Sequence, residues 1–197
     1  MSIKLGLTGS IGMGKSTTAA FFRGFGVPVW DADKEVHRLY AEGGAAVGPI
    51  SALVPTALRE GFVDRKVLKV QIAKDDGLLG EIELILRPLL AESRQAFLAG
   101  HKEDAVIVFD IPLLFETDAE SWMDYVLVVT APENVQHHRV MTRGTMSEAM
   151  FETILARQMP DIEKRALADF LFDTSKGMDY TKAEVKALIE TLEQENA

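Results

Sequence analysis

Residues 6–21 read GLTGSIGMGKSTTAAF, with glycines at 9, 12 and 14 directly ahead of a lysine and a run of hydroxyls. Glycine loses more conformational freedom on ordering than any other residue, so a cluster of it marks a backbone path that side chains would obstruct. Gly9, Gly14, Lys15 and Ser16 carry the phosphate-binding spacing of two glycines with four residues between them, followed by lysine and a hydroxyl. An apolar run, Ile3 to Thr8, precedes the loop and a helical pattern follows it. In that context successive N–H groups converge on phosphate oxygens, assisted by the positive end of the helix dipole. Lys15 reaches the β- and γ-phosphates and the Ser16 hydroxyl can ligate a magnesium ion bridging them. The stretch predicts a nucleoside triphosphate site built from Gly9, Ile11, Gly12, Met13, Gly14, Lys15, Ser16 and Thr17.

Working outward, five short apolar runs read as buried strands: Ile3 to Thr8, Val27 to Asp31, Ala105 to Asp110, Tyr125 to Thr130 and Phe170 to Asp173. Helical patterns separate them, which predicts an α/β fold with a parallel sheet covered on both faces. The first helix carries Ala19 and Phe22 inward and stops at Gly24 and Gly26. The last opens at Thr181 and Glu184 in capping-box spacing and places Val185, Leu188, Ile189 and Leu192 on one stripe. Residues 34–104 exceed what a simple crossover needs and read as a mostly helical lobe. Within it AEGGAAVGP (41–49) reads as a turn. Leu79, Ile82, Ile85, Leu86, Leu89 and Leu90 recur at helical spacing, with a kink expected at Pro88.

The 197 residues suit one domain with insertions, and nearly half of them are apolar. No apolar run approaches the roughly 20 residues of a membrane span. The start lacks the pattern of a secretory signal, so a cytoplasmic protein without a membrane partner is expected. The absence of cysteine excludes disulfides, thiolate metal sites and thiol catalysis. A net charge of −9 gives no electrostatic drive toward nucleic acid, so any anionic ligand needs a local site. His37, His101, His137 and His138 show no metal-ligand spacing.

The acceptor of the nucleotide's phosphate needs separate argument, because switches, motors and kinases share the loop. The second strand runs into Asp31 and Asp33, placed by strand alternation on one face at the ligand-binding end of the sheet. A carboxylate there either takes a proton from an attacking hydroxyl, with Asp33 the preferred base, or holds magnesium through water. Asp at such a junction also caps helices, and Asp31 can do both. Arg139 and Arg143 lie four apart on a helix started by Pro132. They suit either a lid that neutralises the transferring phosphate or a solvated basic face. Gly144 after them reads as hinge or cap. Asp110 ends its strand in the manner of a magnesium-organising acid.

These segments together resemble the dephospho-CoA kinase family: LTGSIGMGKST at 7–17, DAD at 31–33, RPLL at 87–90, DIPLLFE at 110–116, the arginines at 139 and 143, and ADFLFD at 168–173. They occur in family order over nearly the whole chain. The resemblance implies a P-loop kinase core with a five-stranded parallel sheet, an acceptor-binding lobe at 34–104 and a lid at about 133–160. It implies transfer of the ATP γ-phosphoryl group to the ribose 3′-hydroxyl of dephospho-CoA, with Mg²⁺ bound at Ser16. Asp33 falls at the family's base, and Lys15, Arg139 and Arg143 complete the catalytic set. Acceptor contacts are expected from Thr8, Asp31, Arg87, Leu113, Leu114 and Glu116. Two departures stand out: Arg87 replaces the usual histidine before PL, and Asp173-Thr174-Ser175 follows the last strand where many members have asparagine. A kinase for a nucleoside or other small alcohol would share loop, base and lid. A GTP switch would carry an asparagine-lysine-x-aspartate guanine reader, which the sequence lacks.

Overall fold

The computed structural model describes residues 2–75 and 77–196. Five parallel strands form one sheet: β1 (Ile3–Thr8), β2 (Val29–Asp31), β5 (Val106–Asp110), β6 (Tyr125–Thr130) and β7 (Phe170–Asp173), in the spatial order β2-β5-β1-β6-β7. Leu7 is in register with Asp110 on one side and Leu127 on the other, and Thr130 with Asp173. Every residue of β5 is buried. A strand covered on both faces has no polar alternation, which is why these runs are continuously apolar. The chain leaves β1 toward one edge of the sheet and leaves β5 toward the other. The reversal makes the carboxyl ends of β1 and β5 the place where a ligand crevice forms in such sheets.

By contacts the described chain divides into two compact units, residues 31–100 and the remainder. In the larger, α1 (Lys15–Gly24) and α9 (Met178–Glu195) share a core with the sheet. Phe22 and Ala19 of α1 meet Val185, Leu188, Ile189 and Leu192 of α9 there, the stripe read from the sequence. The same unit holds α6 (Glu133–Thr142), α7 (Glu148–Leu155) and α8 (Asp161–Ala166). The expected start of the last helix needs correction. A short 3₁₀ turn after β7 ends at Gly177, and α9 begins at the next residue. Thr181 is therefore a buried residue inside the helix, its hydroxyl donating to the Gly177 carbonyl (2.9 Å), and no capping box forms with Glu184. Strand β2 is also shorter than its apolar run, although the Pro28 carbonyl still accepts the Val108 N–H (2.9 Å).

The smaller unit contains α2 (Ala32–Tyr40), α3 (Val47–Leu53), α4 (Arg65–Ile72) and α5 (Leu78–Gly100) around Leu39, Ile50, Leu68, Ile82 and Leu86. Residues 41–46 form a turn as expected, but Val47, Gly48 and Pro49, read as part of it, open α3, where Pro49 sits in the first turn and needs no N–H partner. Helix α5 runs as one element of 23 residues through Pro88. Ile82 and Leu86 face inward as the spacing predicts, but Leu79 at the helix start is exposed. The unit also carries an antiparallel hairpin not anticipated from the sequence, β3 (Leu58–Arg59) and β4 (Phe62–Val63). Its turn residues Glu60 and Gly61 both have positive φ (44° and 87°), the geometry of a two-residue turn matched to strand twist.

Phe22 is fully buried between α1, the sheet and α9. Phe22→Ala should destabilise the fold by about 3–5 kcal/mol through lost burial and the cavity left behind. Urea denaturation followed by circular dichroism checks this.

Candidate active site

The loop after β1 is held open by close packing. Gly12 has φ +81°, and a Cβ there would stand 2.7 Å from Val140 Cγ2 and 3.1 Å from the Gln136 carbonyl oxygen. Gly14 has φ +97°, with Thr174 only 3.0 Å from the space a Cβ would fill. Gly9 backs directly onto Val129 of β6. The path is thus both left-handed and crowded, a combination only glycine accommodates. Some amides of the loop are used internally. The Met13 N–H donates to the Ser10 carbonyl (3.1 Å), the Thr17 N–H to the Gly14 carbonyl (3.1 Å), and the Ile11 N–H to Gln158 Oε1 (3.1 Å). Among the described residues the N–H groups of Gly12, Gly14, Lys15 and Ser16 have no protein acceptor. Four free donors at the start of a helix constitute an anion site.

Lys15 opens α1, and its ammonium lies 2.5 Å from Asp110 Oδ1 at the end of β5. Both side chains are largely buried, and the pair spans the carboxyl ends of β1 and β5. The sequence marks Asp110 as a strand-end acid; the structure makes it the lysine's partner. Ser16 and Thr17 are exposed at the first turn of the helix.

Arg139 does not flank an open anion position together with Arg143. Its guanidinium donates to Thr174 Oγ1 and to the Thr174 carbonyl, both at 2.8 Å, and approaches the Gly12 carbonyl at 3.4 Å. The Thr174 hydroxyl in turn donates to the Met13 carbonyl (2.8 Å). A residue at the end of β7 is therefore wired into the phosphate loop. Beside it, the Ser175 hydroxyl (2.6 Å) and N–H (2.9 Å) hold the Asp173 carboxyl below the usual carboxylate range. Arg143 is the exposed C-cap of α6, and Gly144 (φ +63°) follows it as a helix stop, its N–H on the Met141 carbonyl (3.0 Å). Helix α6 is packed on the loop through buried Gln136 and Val140.

Of the residues expected to meet an acceptor, Thr8 is fully buried and donates to the Pro112 carbonyl (3.1 Å). Leu114 is fully buried beneath Gly6, whereas Leu113 is 41% exposed. Glu116 faces inward: Oε1 accepts the Met159 N–H (2.7 Å) and lies 2.9 Å from Nζ of Lys164, which is completely buried. That ammonium has no aligned hydrogen bond, so the ion pair holds by charge rather than direction. A lysine in EKRA reads as a solvated helix residue, and nothing in the sequence pattern signals its burial.

In the smaller unit Asp31 caps α2, accepting the Lys34 N–H (3.1 Å). Asp33 lies in the first helical turn, not in the strand, so strand alternation does not relate the two side chains. Its carboxylate is exposed and has no protein partner among the described residues. Arg87 is exposed on α5. His37 and Tyr40, one and two turns beyond Asp33, help line a pocket of about 520 Å³ with Phe62, Arg65 and Lys66. Burial raises the Tyr40 phenol above its ordinary pKa against the opposing charge of Arg65. Among the described residues no group of three or more His, Cys, Asp or Glu could hold a metal, and no helix is long and apolar enough to cross a membrane.

A profile of the dephospho-CoA kinase family matches residues 3–179. The dephospho-CoA kinase of Cereibacter sphaeroides is 57% identical over 186 residues, 94% of this chain and 93% of that one. That of Jannaschia sp. is 53% identical over 192 residues, 98% of each. Among solved structures, a Thermus thermophilus protein superposes with a TM-score of 0.86 at 30% identity, covering 97% of this chain and 98% of that one. A Campylobacter jejuni dephospho-CoA kinase gives 0.74 at 24% identity over the whole of both chains, a likeness of fold.

Lys15→Met should abolish measurable nucleotide binding by calorimetry. It should also destabilise the protein by about 3–5 kcal/mol, the scale of breaking a buried ion pair by removing one member. Adding Asp110→Asn should return much of the stability but not the binding.

Proposed function

The chain belongs to the dephospho-CoA kinase family, and on that premise we propose that it transfers the γ-phosphoryl group of ATP to the ribose 3′-hydroxyl of dephospho-CoA, giving coenzyme A and ADP. The observation that carries this reading is the run of acceptor-less amides at Gly12, Gly14, Lys15 and Ser16 at the start of α1, where Lys15 also supplies its ammonium. Fixed donors of this kind stabilise charge on phosphate oxygens without reorganising during the reaction.

In this reading the amides grip the β-phosphate and Lys15 neutralises the β- and γ-oxygens. Asp33 takes the proton of the attacking 3′-hydroxyl as the new oxygen–phosphorus bond forms and the bond to the β,γ-bridging oxygen breaks, releasing ADP. Its exposed and unpartnered carboxylate suits that task. The donor chemistry fits Mg²⁺, a hard cation that takes oxygen ligands: the exposed Ser16 hydroxyl would hold it, with the Asp110 carboxylate as a second oxygen at the loop. When bound, the ion would offset phosphate charge. Because α6 is anchored at Gln136 and Val140, the moving part of a lid starts at Arg143. Its exposed guanidinium is then the cation free to meet the transferring group, while Arg139 fixes the loop.

Acceptor contacts fall to Arg87, whose planar guanidinium suits an acceptor phosphate, to Asp31 and to exposed Leu113. Thr8, Leu114 and Glu116 set the wall from behind. The pocket beyond Asp33 on α2 gives the acceptor's pantetheine arm an apolar and cationic surface. The reaction takes place in the cytoplasm.

Incubation with magnesium, ATP and dephospho-CoA should add one phosphate to the acceptor, read by mass spectrometry. Asp33→Asn should lower kcat by at least about a hundredfold, the scale of a lost general base, with ATP affinity unchanged. ATP consumption without a modified acceptor would overturn the assignment.

A further inference from the structure

We propose that Gln158 is a positioning residue, acting with Gln136 as a two-sided clamp that sets the crest of the phosphate loop. The proposal rests on the phosphoryl-transfer reading above. Ile11, at the crest, is gripped through both of its backbone groups. Its N–H donates to Gln158 Oε1 (3.1 Å), and its carbonyl accepts from Gln136 Nε2 (2.7 Å). The C=O and N–H of a trans peptide point in opposite directions. Holding the Ile11 carbonyl on Gln136 therefore turns the Gly12 N–H to the opposite side, where it has no protein acceptor. Holding the Ile11 N–H on Gln158 likewise directs the Ser10 carbonyl away, to where it accepts the Met13 N–H (3.1 Å). The two glutamines thus fix consecutive peptide planes, and with them the direction of the first donor of the anion site.

The clamp's two arms differ in how they are held. Gln136 is 4% exposed, on the anchored part of α6. Gln158 is half-buried in the link between α7 and α8. On its C-terminal side the link is bolted down: the Met159 N–H and the buried Lys164 ammonium both meet Glu116 Oε1, and Asp161 accepts the Thr130 hydroxyl (2.7 Å). On its N-terminal side lies the mostly exposed stretch from Arg143 through α7. Gln158 is where that outer segment reaches the loop. Order in the segment is consequently coupled through one side-chain carbonyl to the Ser10–Ile11 peptide plane, which adjoins the plane that carries the Gly12 N–H.

Gln158→Met keeps the length and removes the acceptor. The Ile11 amide of the nucleotide-free protein should exchange with water at least about tenfold faster, read by NMR, and ATP should bind about tenfold more weakly by calorimetry, the equivalent of one hydrogen bond. The KM for dephospho-CoA and the Tm should stay as in the parent. A merely structural role would lower the Tm and impair both substrates together. That result, or ATP affinity equal to the parent's, or unchanged Ile11 exchange, would overturn the proposal. Exchange and ATP affinity are measured without acceptor, so they judge the clamp separately from the identity of the alcohol phosphorylated.

Discussion

The larger unit depends on one constraint: four backbone donors at the start of α1 have to stay free of protein acceptors. A free chain would relieve such a loop by turning its amides to the nearest carbonyls. Here Gly12 packs against Val140 and the Gln136 carbonyl, and Gly14 against Thr174, so closely that no side chain fits and the loop keeps its left-handed path. The parallel sheet supplies the rigidity. Leu7 and its register partners Asp110 and Leu127 are fully or almost fully buried, and the loop springs from the end of the strand between them.

The ion pair between Lys15 and Asp110 is a second consequence of the same geometry. The largely buried Lys15 ammonium needs a counter-charge, and the adjacent strand end provides it. Arg139 meets a similar need differently. It is committed to Thr174, and through that hydroxyl to the Met13 carbonyl, so it acts as a strut between the end of β7 and the loop. The exposed Arg143 is left as the arginine able to move. The smaller unit has its own core, and it holds the exposed Asp33 and Arg87 and the pocket along α2 to which the proposed function assigns the acceptor.

Patterns that a single local rule generates were legible from residues alone. The loop spacing picked out the turn whose four amides have no protein acceptor among the described residues, and continuous apolar runs located five strands to within two residues at either end. The α9 stripe appeared because only one face of that helix is buried. What escaped was long-range. Lys164 is buried because Glu116, 48 positions earlier, waits for it, and Gln158 reaches Ile11 across 147 positions. Neither pairing leaves a local trace. The β3–β4 hairpin was missed because its Glu60–Gly61 turn lacks the Asn or Asp that usually marks two left-handed residues. Asp33 was read as a strand residue because the strand ends and the helix begins without an intervening loop.

The most direct measurement is a crystal structure with a non-hydrolysable ATP analogue. The account predicts phosphate oxygens within hydrogen-bond distance of the Gly12, Gly14, Lys15 and Ser16 N–H groups and of the Lys15 ammonium. A triphosphate bound elsewhere, with those four amides still without an acceptor, would contradict it.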